Sequence, residues 1–199
     1  LQELKNLLKP LMIRRNKQQE LTELPDKRRE MLYVDLPSDF TKEYRETERN
    51  LIKQLAAFKQ DPNIQRSDLL ATLSALRHIV GRAKVENACE FIKTFADGGD
   101  KLVVFGHHHD VLDGLEATLK KENIKFVRAD GKTKADARQE RIDIFQNDPE
   151  CTVFLATTAM GMGITLTAAS NSLFVERQWS PAMEEQMEDR LHRIGQKRG

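Results

Sequence analysis

Cysteine, aromatic residues and long apolar runs are all scarce in this sequence. Its two cysteines, Cys89 and Cys151, lie far apart, and we interpret them as reduced, buried side chains. No apolar stretch reaches the roughly 20 residues of a membrane span and no signal peptide opens the chain, so we expect an intracellular protein without a membrane partner. A net charge of +1 gives no general affinity for nucleic acid, so any such contact must come from local patches.

Two phosphate-binding signatures are missing as well. The chain has neither a GxxxxGK[ST] loop nor a DExH-type pair of carboxylates for magnesium, so by itself it has little with which to hold ATP. Three consecutive histidines, His107, His108 and His109, suggest a metal at first sight. Adjacent side chains point in different directions, however, and no second cluster has zinc-ligand spacing, so we predict no metal site.

Short apolar segments alternate with helical patterns from residue 101 onward. The predicted strands are residues 101–105, 125–130, 152–157 and 172–176, and the predicted helices are residues 109–122, 133–146 and a last one from about 181. Such alternation is typical of a parallel sheet covered by helices on both faces. We therefore predict an α/β, doubly wound fold with a mainly helical N-terminal extension.

The N-terminal half divides into two predicted parts. Residues 1–36 form a linker that ends in a strand, MLYVDLP at 31–37, and residues 37–98 form a helical segment packed on the lobe of residues 99–199. A helix from Ser38 to about Gln60 has an apolar stripe that we assign to the core, and a second helical block is expected to divide near Gly81 and to stop at Gly98. From its two ends we expect the chain to be a piece of a longer protein.

The stretch EEQMEDRLHRIGQKRG, residues 184–199, holds two arginines three positions apart. On a helix, Arg190 and Arg193 share one face, and Gln186 lies on that face too. A guanidinium is always charged and offers a fork of donors, so the pair suits a phosphoryl group that develops charge during hydrolysis. The alternative is an exposed helix with ordinary surface arginines, which would be preferred for an RxxR pair without the surrounding string.

Three segments carry a resemblance to a known family. DRLHRIGQ at 189–196 resembles the last helicase motif of the Swi/Snf-type ATPases, and residues 157–181, TTAMGMGITLTAASNSLFVERQWSP, resemble the motif pair before it. The T-A-x-x-M-G-x-T form is similar to the annealing-helicase (HARP-like) subgroup, and residues 9–27 resemble the linker that enters the second lobe. The resemblance implies a RecA-like second lobe of an ATP-driven motor on double-stranded DNA.

The resemblance also implies roles for individual residues. Arg190 and Arg193 would be arginine fingers for ATP that is held, with magnesium, by an N-terminal RecA-like lobe absent from this chain. Gly163, Gln186 and Asp189 would border the nucleotide. Because that first lobe would hold the ATP, we expect the isolated chain to hydrolyse no ATP.

Loops at the carboxyl ends of the strands are the expected DNA contacts, since functional residues gather at that edge of a parallel sheet. The resemblance implies DNA contacts at Gly106, His107, Gly131, Thr133, Thr158, Ala159 and Thr165. Trp179 is a further DNA-binding candidate, since its indole could stack on nucleic acid. Each loop also has a second interpretation from the residues themselves. The loop of Gly106 and His107 could be a plain strand-to-helix turn, and residues 157–165 could be a tight glycine turn. Thr133 serves equally well as the N-cap of the next helix, and packing into the core is the favoured role of Trp179 taken alone.

Three other functions stay open. An RNA helicase lobe is disfavoured by the HRIGQ and WSP strings, and a non-catalytic DNA-binding domain is disfavoured by the retained Gly163 and Arg190. An unrelated doubly wound domain, such as a signalling receiver, needs an acidic cluster after its first strand, which is missing here. A DNA motor would lie with DNA, in a nucleoid or a nucleus.

Overall fold

A four-stranded parallel sheet lies at the centre of the protein. The computed structural model describes Leu7 and residues 10–11, 24–60, 66–161 and 164–192. The sheet order is β2-β3-β1-β4. The strands are β1 (Leu102–Gly106), β2 (Phe126–Ala129), β3 (Val153–Thr157) and β4 (Asn171–Phe174). The two central strands, β1 and β3, are buried along their whole length, as their unbroken apolar runs predict.

Six α-helices accompany the sheet in the described ranges. They are α1 (Ser38–Gln60), α2 (Arg66–Ala83), α3 (Val85–Asp97), α4 (His109–Lys121), α5 (Ala135–Asn147) and α6 (Pro181–Glu188), with a short 3₁₀ helix at Thr158–Gly161. Alternate residues of β1 enter two separate cores: Val103 packs with Phe145 of α5, and Val104 packs with Leu115 of α4. Helices therefore cover both faces, and the predicted α/β doubly wound sheet is confirmed.

The strand expected at residues 31–37 is wrong. This segment forms neither a strand nor a helix, and Tyr33 is 89% exposed. A strand requires a neighbouring strand for its main-chain hydrogen bonds, and none of the four described strands pairs with it. The strand-forming residues of this segment are therefore not enough to make it a strand.

The apolar stripe of α1 is not part of the core, contrary to our expectation. No residue of α1 is buried, and Ile52 is 60% exposed, because α1 packs chiefly on α2 rather than on the sheet. The second helical block divides at Lys84, not at Gly81. Gly81 instead lies buried inside α2, where its missing side chain leaves room for a neighbouring residue.

Candidate functional site

The loops that follow β1 and β3 meet at the carboxyl edge of the sheet. Gly106 and Thr157 are partners in the parallel register, so the residues that follow them, His107 and Thr158, emerge side by side. The Nδ1 atom of His107 lies 3.3 Å from the hydroxyl oxygen of Thr158. Gly106 is needed for packing, because a Cβ there would lie 3.0 Å from the Cδ2 atom of Leu112. The structure thus brings together three residues of the predicted DNA-contacting set.

A buried carboxylate that we did not predict fixes the β1 loop from below. Glu176, just beyond β4, is 2% exposed. Its Oε2 atom accepts the main-chain N–H groups of His107, at 2.7 Å, and of His108, at 2.9 Å, while Oε1 lies 2.5 Å from the His108 Nδ1 atom. The main-chain donors of the loop therefore face the protein interior. The N–H of His107 is therefore not available to a ligand, whereas its side chain is exposed.

The loop after β2 is a closed turn. Thr133 donates its hydroxyl to Asp130 Oδ1 at 3.1 Å and accepts the N–H of Asp130 at 3.0 Å. The helix α5 starts at Ala135 with Lys134 at its N-cap, so the expected capping role of Thr133 is wrong. Gly131 is exposed at the tip, where an added Cβ would have no neighbour within 4 Å.

The β2 loop also approaches the β1 loop through side chains. His109 Nδ1 lies 3.7 Å from Asp130 Oδ2, which joins the two loops at the sheet edge. Burial opposes ionisation of Asp130, but hydrogen bonds from the Lys132 N–H and the Thr133 hydroxyl outweigh it and lower its pKa below the ordinary value. The turn therefore keeps an ionised carboxylate at its centre at neutral pH.

The loop after β3 serves two regions of the molecule. Thr158 is buried and Ala159 is exposed at the start of the 3₁₀ helix, near the β1 loop. Thr165 is exposed, but its carbonyl accepts a hydrogen bond from Gln146 of α5 at 3.2 Å. The next residue, Leu166, donates its N–H to the carbonyl of Arg190 at 3.2 Å. Thr165 therefore lies beside the turn that carries Arg190, while Gly163 is outside the described residues.

Trp179 projects from the loop after β4 and does not pack in the core. It is 67% exposed, so the core-packing interpretation is wrong. The guanidinium carbon of Arg77, on α2, lies 5.7 Å from the centre of its ring. Glu184 of α6 fixes the base of the loop, because its buried carboxylate accepts hydrogen bonds from Arg177 and from the N–H of Gln178. The indole is thus held out at the surface.

The turn that carries Arg190 follows α6 and is not part of it. The helix ends at Glu188, and the N–H of Arg190 donates to the carbonyl of Met187 at 3.0 Å, an i to i−3 bond that tightens the chain. The expectation that Gln186 and Arg190 share a helix face is therefore wrong. Gln186 is exposed on α6 and Arg190 is half-buried, while Arg193 lies outside the described residues.

An N-terminal segment that we did not predict to be near the site lies across this turn. We call residues 25–29 the strap. Arg29 donates to both carboxylate oxygens of Glu188, at 2.8 and 2.6 Å, and Lys27 contacts Glu188 at 3.1 Å and Asp189 at 3.2 Å. The Nε2 atom of His192 lies 2.7 Å from the carbonyl oxygen of Pro25. The strap thus holds the residues on both sides of Arg190.

The titration of Glu188 reflects these contacts. Burial opposes its ionisation, but hydrogen bonds from Arg29 and Lys27 outweigh burial, so the pKa of Glu188 is lower than its ordinary value. In turn, the hydrogen bond with Glu188 raises the pKa of Arg29. The sequence carries only a weak signal for this contact, since the partners are about 160 residues apart.

The three consecutive histidines after β1 contact separate partners. Within the described residues, no three His, Cys, Asp or Glu side chains are grouped as metal ligands. His107, His108 and His109 face three different partners, namely Thr158, Glu176 and Asp130. None of the helices in the described ranges has the length and hydropathy of a membrane-spanning segment.

Comparison with known families identifies the chain. Residues 83–195 match the helicase conserved C-terminal domain, and residues 1–85 match the SNF2-related domain. The chain belongs to the SWI/SNF-type helicase family. This confirms the resemblance carried by the DRLHRIGQ string and makes the parallel sheet that of a RecA-like ATPase. The two matched stretches meet at the Lys84 break between α2 and α3.

Several curated members of this SWI/SNF-type family are similar over almost the whole chain. A Caenorhabditis elegans homologue of SWI/SNF-related matrix-associated actin-dependent regulator of chromatin subfamily A-like protein 1 is 37% identical over 196 residues, covering 96% of this chain and 27% of the relative. Human DNA annealing helicase and endonuclease ZRANB3 is 33% identical over 205 residues, covering 98% of this chain and 18% of the relative. The chain thus spans about a quarter or less of these relatives.

Solved SWI/SNF-type structures share the fold. The Sulfolobus solfataricus SWI2/SNF2 ATPase core in complex with dsDNA matches 99% of this chain and 45% of that chain, with a TM-score of 0.73 and 28% identity. The C-terminal part of the Fun30 ATPase domain matches 58% of this chain and 38% of that chain, with a TM-score of 0.54 and 35% identity. These matches support the helicase, ATPase and DNA-binding character of the family.

Proposed function

We propose that this chain is the second motor lobe of an ATP-dependent translocase on double-stranded DNA. In this proposal a first lobe holds ATP and magnesium, and this chain supplies arginines to the ATP and contacts to the DNA backbone. The match of residues 83–195 to the helicase C-terminal domain supports the lobe assignment. The similarity to an archaeal core solved with dsDNA supports the choice of ligand. Such a motor works where the DNA is, in a nucleoid or a nucleus.

The observation that carries the DNA contact is the meeting of loops at one edge of the sheet. His107 touches Thr158, and Glu176 anchors the β1 loop to the loop after β4. A ligand that lies along this edge meets several loops at once, and a regular backbone of phosphates has that shape. The exposed residues of the predicted set, Ala159 and Gly131, stand at loop tips along the same edge.

The arginine turn carries the proposed catalytic role. Arg190 and Arg193 would each direct a guanidinium at the phosphoryl group of ATP. The ATP would be bound by the first lobe. Their fixed positive charge stabilises the negative charge that develops on the equatorial oxygens during transfer. Gln186, Asp189 and Gly163 border the nucleotide in this proposal. The hydrogen bond from Leu166 to the Arg190 carbonyl keeps the turn in place while the lobe moves.

Closure of a cleft between the two lobes then links hydrolysis to movement. Arg190 reaches the phosphoryl group only when the lobes are closed, so hydrolysis follows closure and release follows reopening. The DNA-facing loops and the turn that carries Arg190 belong to the same lobe, so each closing step moves both relative to the first lobe. Translocation is the expected result of this cycle.

Two proteins test the division of labour: residues 1–199 alone, and the same chain joined behind a first lobe with intact ATP- and magnesium-binding residues. We expect DNA-stimulated ATP hydrolysis only in the joined protein. Arg193→Ala and Arg190→Ala should each lower its turnover on the order of 10³-fold, with the affinity for duplex DNA nearly unchanged. Hydrolysis by residues 1–199 alone would refute the proposal.

A matched arginine and a second nucleic acid make the experiment specific. Arg28→Ala removes a guanidinium whose side chain is 85% exposed, and it should leave turnover unchanged. Single-stranded RNA is compared with duplex DNA as the stimulating ligand. Stimulation by RNA alone would favour an RNA helicase lobe, and DNA binding without any ATP turnover in the joined protein would favour a non-catalytic domain.

A further inference from the structure

Arg77, on α2, is a half-buried arginine without a counter-charge. Its Nε and Nη2 atoms are shielded from solvent and have no hydrogen-bond partner, and no described carboxylate forms an ion pair with it. Among the described residues, the guanidinium lies over the face of Trp179, 5.7 Å from the centre of its ring. Arg77 is not among the predicted site residues, and the matches to known families give it no role.

Other arginines of the same region show that this is unusual. Arg82, five residues further along α2, donates through Nη2 to both carboxylate oxygens of Glu43 at 2.7 Å. Arg177, beside Trp179, is bound by Glu184 at 2.6 Å. A guanidinium removed from water without an acceptor destabilises the folded state, unless a ligand provides the acceptor. Arg77 is therefore placed for an anion from outside the protein.

The surroundings of Arg77 also favour an anion. The pKa of His107 is lowered by burial and next by the positive charge of Arg77, so the field of Arg77 reaches the His107 ring. His107 in turn touches the hydroxyl of Thr158. The nearby carboxylate, Glu176, is buried and already accepts three hydrogen bonds from the β1 loop. The guanidinium of Arg77 lies over an exposed indole, and the His107–Thr158 contact belongs to the same edge of the sheet.

We propose that Arg77 binds a backbone phosphate of duplex DNA, with its guanidinium positioned over the indole of Trp179. The inference rests on the proposed function, since it assumes that DNA follows the carboxyl edge of the sheet. It extends the DNA surface to α2, which lies in the stretch that matches the SNF2-related domain, whereas Trp179 lies in the helicase C-terminal domain. The phosphate site is therefore built from both matched stretches.

The test measures binding of a fluorescein-labelled DNA duplex to the 199-residue chain by fluorescence anisotropy, between about 50 and 200 mM salt. Arg77→Met should weaken binding about tenfold and lower the slope of log affinity against log salt by about one. Arg77→Lys keeps the charge and should keep the slope while losing part of the affinity. The unfolding temperature of Arg77→Met should equal or exceed that of the wild type, because an unpaired charge has been removed.

Arg66→Met is the matched control. Arg66 is on the same helix and also lies 5.7 Å from an aromatic ring, that of Phe58, so its replacement removes the same charge and the same kind of contact. It should leave affinity within about twofold and the salt slope unchanged. Equal losses in Arg66→Met and Arg77→Met, or a lower unfolding temperature that accounts for the weaker binding, would overturn the assignment.

Two further results separate the possible failures. If the wild type shows no salt-dependent affinity for duplex DNA, the proposed DNA contact of the whole lobe fails together with this inference. If the wild type binds and Arg77→Met binds equally well with the same slope, only the Arg77 assignment fails. A fluorescent ATP analogue is titrated in parallel, and a loss confined to that ligand would overturn the choice of DNA as the source of the phosphate.

Discussion

Gly81 lies directly against the carboxylate of Glu176. A Cβ added at Gly81 would lie 2.7 Å from the Oε1 atom and 2.8 Å from the Cδ atom of Glu176. The glycine is on α2, and the glutamate follows β4, so the contact joins the SNF2-related stretch to the helicase C-terminal stretch. A helix interior disfavours glycine, and here the close approach of a buried carboxylate gives a physical reason for it.

Gly81→Ala should destabilise the protein. Glu176 cannot move away without breaking its hydrogen bonds to the β1 loop, so overpacking should cost about 1–3 kcal/mol, more than the up to about 1 kcal/mol that alanine gains in helix propensity. The measurement is the free energy of unfolding in denaturant. Gly98→Ala is the control, since the nearest atom to its Cβ is 3.4 Å away, and it should change stability by less than about 0.5 kcal/mol. Equal stability of the Gly81→Ala variant and the wild type would contradict the clash.

Glu176→Gln should loosen the β1 loop. The amide retains the shape of the carboxylate but accepts hydrogen bonds less strongly, so the N–H groups of His107 and His108 lose a charged acceptor. We expect a loss of about 1–3 kcal/mol in unfolding free energy and faster hydrogen exchange at these two amides. Amides in β3 should still exchange only through global unfolding, as they do in the wild type. Unchanged exchange at both amides would show that Glu176 does not fix the loop, and Glu90→Gln, at an exposed position of α3, gives the baseline.

The sheet could be predicted from the sequence because its signal is local. An unbroken apolar run such as residues 102–105 requires burial on both sides wherever it occurs, and turn signals separate one run from the next. The expected strand at 31–37 and the core stripe of α1 failed for the opposite reason. Both depend on what lies beside them, and a single sequence does not encode the neighbour.

The same distinction holds for the site. His107 and Thr158 could be placed together because the ends of neighbouring parallel strands meet at one edge. The roles of Glu176 and Arg77 could not be predicted, because each contacts a residue from a distant part of the chain. The end of α6 was also missed, because the residues around Arg190 are held by Leu166 and by the strap rather than by helix propensity.

Lys101→Met should open the junction between α5 and β3. The Lys101 ammonium donates to the carbonyls of Phe145, of Asp148 at 2.6 Å and of Cys151 at 3.1 Å. Methionine leaves these acceptors without a donor, so we expect a loss of about 1–3 kcal/mol in the free energy of unfolding. Lys125→Met is the control: it removes a lysine that pairs with Asp148 but is 56% exposed, and should cost less than about 1 kcal/mol. Similar losses in the two variants would contradict the special role of Lys101.

Acid should release the strap from the arginine turn. Arg29 and Lys27 lower the pKa of Glu188 below its ordinary value of 4.5 in the folded protein. For a carboxyl group with a lowered folded pKa, the added stability is fully present above the ordinary pKa and is lost as the pH falls through the folded one. The strap contact should therefore hold at pH 7 and weaken progressively below about pH 4.5.

Glu188→Gln tests this dependence, because the amide cannot titrate. The unfolding free energies of wild type and variant, measured in denaturant at several pH values, should differ by about 1 kcal/mol at pH 7, a value kept small by the exposure of Arg29. The difference in unfolding free energy should shrink as the pH falls below about 4.5. Protonation then removes the negative charge of Glu188 from the wild type, and the variant already lacks that charge. Glu30→Gln, at a 62% exposed partner of Arg28, should show little difference at any pH. A gap of the same size at low pH and at pH 7 would mean that the charge of Glu188 does not hold the strap.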